Sequence, residues 1–190
     1  MPSRLSFDHF DWIAPIYDVI IPDANIEALI QYGGFPTNGK VLDVGGGTGR
    51  VTRQLINLQP DITIADSSFG MLKIANQKLG VKLTLCEAER MPFSDNSFER
   101  ILLIDTLHHV ADASRTLREC LRVLKMDGLL IVQEPDIDQW GGVLIALFEK
   151  LLLMRSHLLP AKRVQSVLAP LSKEVVIHRD TNQYWVVCRK

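Results

Sequence analysis

The residues of this 190-residue chain that could do chemistry stand at the ends of apolar runs. VLDVGGGTGR, residues 41–50, carries Asp43 at the end of a strand-like segment and then Gly45, Gly46, Gly47 and Gly49. Glycine lets a backbone approach a ligand closely or take a positive φ at little cost, so such a run is either a cradle or a tight turn. A second acid, Asp66, ends the next apolar run with Ser67 beside it, either to accept hydroxyls or to sit in solvent. Asp105, His108 and His109 follow a later run. An imidazole titrates near neutral pH and can take a proton from a reacting group; the alternative is one histidine packed under the following helix and the other capping it. His108, His109 and Asp112 are also metal-ligand types, but no further ligand site accompanies them and no metal is expected.

Spacing narrows the ligand. A dinucleotide fingerprint needs G-x-G-x-x-G or a terminal alanine, and here Arg50 or Thr52 stands in that last place. A triphosphate loop needs Gly-Lys-Ser or Gly-Lys-Thr, and the chain reads Gly49-Arg50-Val51. What fits is an acid, one residue, then G-x-G-x-G. A carboxylate beside the loop is poorly suited to a pyrophosphate and well suited to a cation. S-adenosylmethionine carries an ammonium and a sulfonium and no phosphate. Asp66, one strand further on, can accept both hydroxyls of a ribose.

These residues need a scaffold that brings strand ends together. Short apolar runs at 40–44, 62–65, 82–86, 100–104 and 129–134 alternate with helical patterns at 50–58, 69–79 and 113–125, as in a parallel sheet with crossover helices. The runs are nearly all apolar, as expected of strands buried on both faces. Asp112 is placed to cap the 113–125 helix. After Glu134 a leucine-rich helix is expected from 142 to about 159, then a short helix to Ala169. Residues 174–179 and 183–189 follow, joined tightly enough that they must run antiparallel.

VLDVGGGTGR, with IADSS and CEAERMPFSDNSFERILLIDTLHHV, resembles the class I S-adenosylmethionine-dependent methyltransferases from about residue 40 to 135. LRECLRVLKMDGLLIVQEP resembles that family's approach to strand five, with Met126, Asp127 and Gly128 where the family usually has Pro-Gly-Gly. The resemblance implies a Rossmann-like, doubly wound α/β fold: a seven-stranded sheet, mostly parallel, with an antiparallel last hairpin strand. It implies S-adenosyl-L-methionine as cofactor, with Asp66 on the ribose and Glu87 and Ala88 reading the adenine. Asp105 would hold the methionine end. SFDHFDWIAPIYD is similar to the opening of the ubiquinone and menaquinone C-methyltransferase group, in which a helix closes over the cofactor; Tyr17 and Asp18 match it.

The chain thus reads as one methyltransferase domain, 1–190, with a helical cap at 1–38, a cofactor-binding core at 39–135, and acceptor-covering helices with a final β-hairpin at 136–190. Asp-Thr-Leu-His follows strand four where nucleobase methyltransferases carry other motifs, and the net charge of −1 gives no basic field, so no nucleic-acid partner is expected. A small lipophilic acceptor, methylated at carbon or oxygen, is expected. Alternatives are a cofactor-binding partner subunit without catalysis and an NAD-linked oxidoreductase. The three scattered cysteines suit a reducing cytoplasm, and the N-terminus does not read as a signal peptide. Residues 141–163 carry more apolar side chains than one buried stripe needs, which suits a peripheral membrane contact or a homodimer.

Overall fold

The structure is a computed structural model that describes residues 14, 17–21, 23–137, 157–180 and 182–190. The leucine-rich segment expected to be helical from 142 to about 159 falls mostly outside them.

Seven strands form one sheet: β1 (Val41–Val44), β2 (Ile62–Asp66), β3 (Lys82–Leu85), β4 (Phe98–Ile104), β5 (Leu124–Pro135), β6 (Glu174–Arg179) and β7 (Gln183–Arg189). Their order is β3-β2-β1-β4-β5-β7-β6. β1 to β5 run parallel, and β7 pairs antiparallel with both β5 and β6, as the tight connection requires. The described helices are α1 (Tyr17–Ile20), α2 (Ile26–Gly33), α3 (Thr52–Leu55), α4 (Phe69–Leu79), α5 (Ala113–Val123) and α6 (Ala161–Leu168).

The sheet separates two apolar layers, and strand periodicity assigns each side chain to its layer. Leu42, Val44, Ile101, Leu103, Leu130 and Val132 pack with Leu117, Cys120 and Leu121 of α5 and Val164 and Leu168 of α6. Their neighbours Val41, Leu102, Ile104 and Ile131 face the other way, onto Leu29 of α2, Leu55 of α3 and Trp185. β1 and β4 lie side by side although β2 and β3 intervene in sequence, so the winding direction reverses between them. Ligands of doubly wound sheets bind outside the carboxyl ends of the strands at such a reversal, which is where the loops after Val44 and Ile104 stand.

Three expectations need correction. β3 lies at the sheet edge and is half-buried to exposed along its length, unlike the strands inside. The helix expected over 50–58 is a single α-turn, Thr52–Leu55, flanked by tighter closures such as Gln54 N–H to Val51 O and Leu58 N–H to Leu55 O. The helix expected to reach Lys125 stops at Val123, because Leu124 already pairs with Phe98 in the sheet.

Asp112 caps α5 as expected: its Oδ1 accepts the Arg115 N–H at 3.0 Å. Asp112→Ala is expected to cost about 1 kcal/mol of stability and Asp112→Asn much less, read from urea midpoints at unchanged slope.

Candidate active site

Gly45 and Gly47 both have positive φ, 68° and 55°, a conformation glycine adopts without the strain a Cβ brings. They differ in what surrounds them. A Cβ on Gly45 would lie 2.2 Å from Thr106 Cγ2, whereas one on Gly47 meets nothing nearer than 3.9 Å. Gly46 and Gly49 resemble Gly45, being pressed against Asp43 and Leu79 respectively. Most of the glycine run is therefore required by packing within the protein, and the approachable backbone is at Gly47.

That backbone is joined to Asp66. Gly47 N–H donates to Asp66 Oδ2 at 2.9 Å, and Ser68 N–H donates to Oδ1 at 2.8 Å. The carboxylate at the end of β2 is thereby fixed in orientation, and a carboxylate is an acceptor of the kind that hydroxyls seek. Ser67 is exposed beside it, and Ser68 caps α4 through Met71 N–H. Glu87 is exposed and Ala88 half-buried just beyond β3, whose neighbouring Cys86 N–H bonds Asp66 O. Both stand on the same edge as Asp66.

Tyr17, Asp43, Gly45, Gly46, Gly47, Arg50, Val51 and Ile104 line one small cleft. Asp43 forms its floor at 1% exposure, with Oδ2 accepting from Thr52 Oγ1 at 2.7 Å. Burial pushes the Asp43 carboxyl up to about 6, against the Thr52 hydrogen bond and the Arg50 charge. Its place beneath the loop makes it a brace, with the backbone of Gly46 above it.

Arg50, which sequence reading passed over as the residue breaking two nucleotide motifs, is 5% exposed and pairs with Asp105 at 2.7 Å. Asp105 itself has φ 52° and accepts from Gln133 Nε2 at 3.0 Å. α1 is held over this cleft by Asp18, which bonds Thr48 Oγ1 and takes Lys78 Nζ at 2.6 Å, with Arg53 at 3.6 Å. Burial raises the Asp18 carboxyl, but the Lys78 and Thr48 hydrogen bonds and the Lys78 and Arg53 charges outweigh it and leave it below its ordinary value.

His108 and His109 form a second group. Glu134, at the end of β5 and 1% exposed, accepts Thr106 N–H at 3.0 Å and Leu107 N–H at 2.7 Å on Oε1, while Oε2 bonds His108 Nδ1. His108 is buried, and His109, half-buried, lies with its ring 3.9 Å from that of His108, centroid to centroid. Thr106 joins the two groups, since its hydroxyl reaches Gly45 O at 3.4 Å. Sequence places Glu134 at the end of strand five, on the side expected to face the acceptor, but nothing in its apolar strand signals that its carboxylate organises the loop after β4. Among the described residues no group of His, Cys, Asp and Glu could hold a metal ion.

The arrangement fits S-adenosylmethionine: a fixed carboxylate beside open glycine backbone suits a ribose, and the Arg50–Asp105 pair suits a zwitterionic amino-acid end. A linkage test probes the loop's foundation. Because the native Asp43 carboxyl titrates at about 6 and the unfolded one at 3.8, the native state binds the proton more tightly; this contribution to stability is full below about pH 4 and lost as pH rises through 6. Asp43→Asn, which keeps an oxygen for Thr52, is expected to flatten the pH 4–6 slope and to stabilise the protein at pH 7 by no more than about 3 kcal/mol, by urea unfolding at each pH.

Comparison with known proteins agrees with the geometry. Residues 42–132 match the model of a methyltransferase domain. The chain is 33% identical over 149 residues to a ubiquinone/menaquinone biosynthesis C-methyltransferase of Idiomarina loihiensis, covering 70% of this chain and 59% of that protein. The same-named protein of Pseudomonas paraeruginosa is 35% identical over 115 residues, covering 55% and 45%. The chain thus spans about half the length of these curated relatives. In fold it is similar to a SAM-dependent methyltransferase of Thermotoga maritima, with TM-score 0.75, 18% identity and coverage of 96% and 100%. It is equally similar to the [4+2]-cyclase SpnF, with TM-score 0.75, 17% identity and coverage of 95% and 94%. Motif, strand order and relatives agree, and residues 42–132 make a methyltransferase domain of the class I S-adenosylmethionine-dependent kind.

Proposed function

We propose that the chain transfers a methyl group from S-adenosylmethionine to a small, lipophilic acceptor. The observation that carries the reading is the Asp66 carboxylate, pinned by Gly47 and Ser68 N–H groups beside open backbone at the reversal point of the sheet. When bound, the cofactor supplies a methyl group made electrophilic by its sulfonium. The chain's own residues bind and align. Asp66 would accept the ribose hydroxyls, with Ser67 beside it and Glu87 and Ala88 at the adenine; Gly47 would give the close backbone approach, and Gly45, Gly46, Gly49 and Asp43 would keep that loop in shape. The Arg50–Asp105 pair would meet the carboxylate and ammonium of the methionine end, and Tyr17 would cover it.

Alignment is the main catalytic contribution open to such a site, since well-oriented reactants can gain about 7 to 11 kcal/mol over free encounter. Where the acceptor must lose a proton, His109 is the candidate base: it is half-buried, whereas the buried His108 is bonded to Glu134 and orients its neighbour. The lipophilic character of the acceptor is supported by the relatives' names, which place them in ubiquinone and menaquinone biosynthesis. Residues 141–163, suggested for a membrane contact or homodimer, lie mostly outside the described residues; among those described, no helix is long and apolar enough to cross a membrane.

Asp66→Ala is expected to weaken S-adenosylhomocysteine binding more than about tenfold in calorimetry, each charge-assisted hydrogen bond to ribose being worth about 1.5 to 3 kcal/mol. Unchanged affinity in the folded variant would contradict the ribose role. His109→Ala is expected to lower turnover roughly a hundredfold on an acceptor that must lose a proton, with S-adenosylhomocysteine affinity unchanged. Equal loss of both would make His109 a structural residue.

A further inference from the structure

A second cavity lies between the beginnings of α5 and α6, with a volume of about 270 Å³. Ala111, Ala113, Leu117, Leu159, Val164 and Val167 give it apolar walls, and Asp112, Ser114 and Arg163 supply the polar atoms. It is built onto the histidine loop from both sides. Ala111 follows His109 by two residues, and on the opposite wall His157 N–H donates to His108 O at 2.8 Å while Tyr184 hydroxyl fixes Leu159 O at 2.8 Å.

The charges around the cavity are unequal in what they are doing. Asp112 is engaged at the α5 cap, and Glu89 accepts the Asp112 N–H at 3.0 Å. Arg163, Arg115, Arg118 and Lys162 are exposed, and among the described residues none of the four forms an ion pair. Arg163 is the one that lines the cavity. Apolar walls hold water poorly and favour an apolar body, and a guanidinium at the rim recognises a carboxylate or phenolate through charge-assisted bonds. The volume falls just under the range of about 300–1,000 Å³ usual for drug-sized ligands, so the occupant is compact.

We propose that this cavity is a binding site for a compact apolar anion, one or two rings bearing a single carboxylate or phenolate that Arg163 meets, and that the methyl acceptor is held there. The acceptor role rests on the methyl-transfer reading; the binding does not.

The test uses 2-naphthoate and its neutral counterpart 2-naphthamide as probes on the full chain, by calorimetry. Wild type is expected to bind the naphthoate at least tenfold more tightly than the amide. Arg163→Gln is expected to abolish that preference with amide affinity unchanged, and Val167→Trp, which fills the cavity, to abolish binding of both. Retained S-adenosylhomocysteine binding reports that each variant is folded. If Val167→Trp does not fold, Ala111→Trp at the rim takes its place with the same expectation. Equal affinity of the two probes for wild type, no binding of either, a preference that survives in Arg163→Gln, or binding that survives the filled cavity would each overturn the proposal. With S-adenosylhomocysteine bound, intermolecular nuclear Overhauser effects between it and 2-naphthoate are expected, and binding without them removes the acceptor role. If wild type binds 2-naphthoate in this pattern but not S-adenosylhomocysteine, the methyl-transfer reading falls and the anion site stands.

Discussion

One buried carboxylate sets the geometry of the carboxyl edge of the sheet. Glu134 accepts two successive backbone N–H groups, of Thr106 and Leu107, and the ring of His108. A carboxylate taken out of water is costly unless its lone pairs are met, and here three donors meet them. The consequence is that the chain leaving β4 must turn over the end of β5 instead of continuing along it. That turn forces Asp105 to positive φ, presents it to Arg50, and wedges Thr106 under Gly45. The glycine loop therefore owes its shape as much to β5 as to β1.

Much of the frame was legible because the physics that specifies it is local. Strands buried on both faces are largely apolar, so β1, β2, β4 and β5 announce themselves by their mostly apolar stretches, and the hairpin connection admits one orientation. The exposure of β3 was not legible from its composition, since KLTL reads like any short strand and only its place at the end of the order leaves it open to solvent. Helix ends failed where the sheet competes: Leu124 would serve a helix as well as a strand, and pairing with Phe98 decides.

The site divides along the same line. Asp66 was found because the motif places it at a strand end, and the strand end is where it sits. Arg50 with Asp105, and Glu134 with His108, are separated by 55 and 26 residues and are brought together by parallel pairing, so no window of sequence contains them. Asp43 was legible as an acid beside the glycines and it does line the cleft, but its bond to Thr52 beneath the loop was not legible.

The contacts of Asp18 bear on how α1 is seated. Its carboxylate joins α1 to the glycine loop at Thr48, to α4 at Lys78 and to α3 at Arg53, and both cationic partners are a third or more exposed. Ion pairs so open to water are worth about 0–1 kcal/mol each and weaken as salt rises. The seat of α1 against the glycine loop therefore has an electrostatic share that ionic strength tunes, weakening at Lys78 and Arg53 as salt rises while the Thr48 contact is left in place.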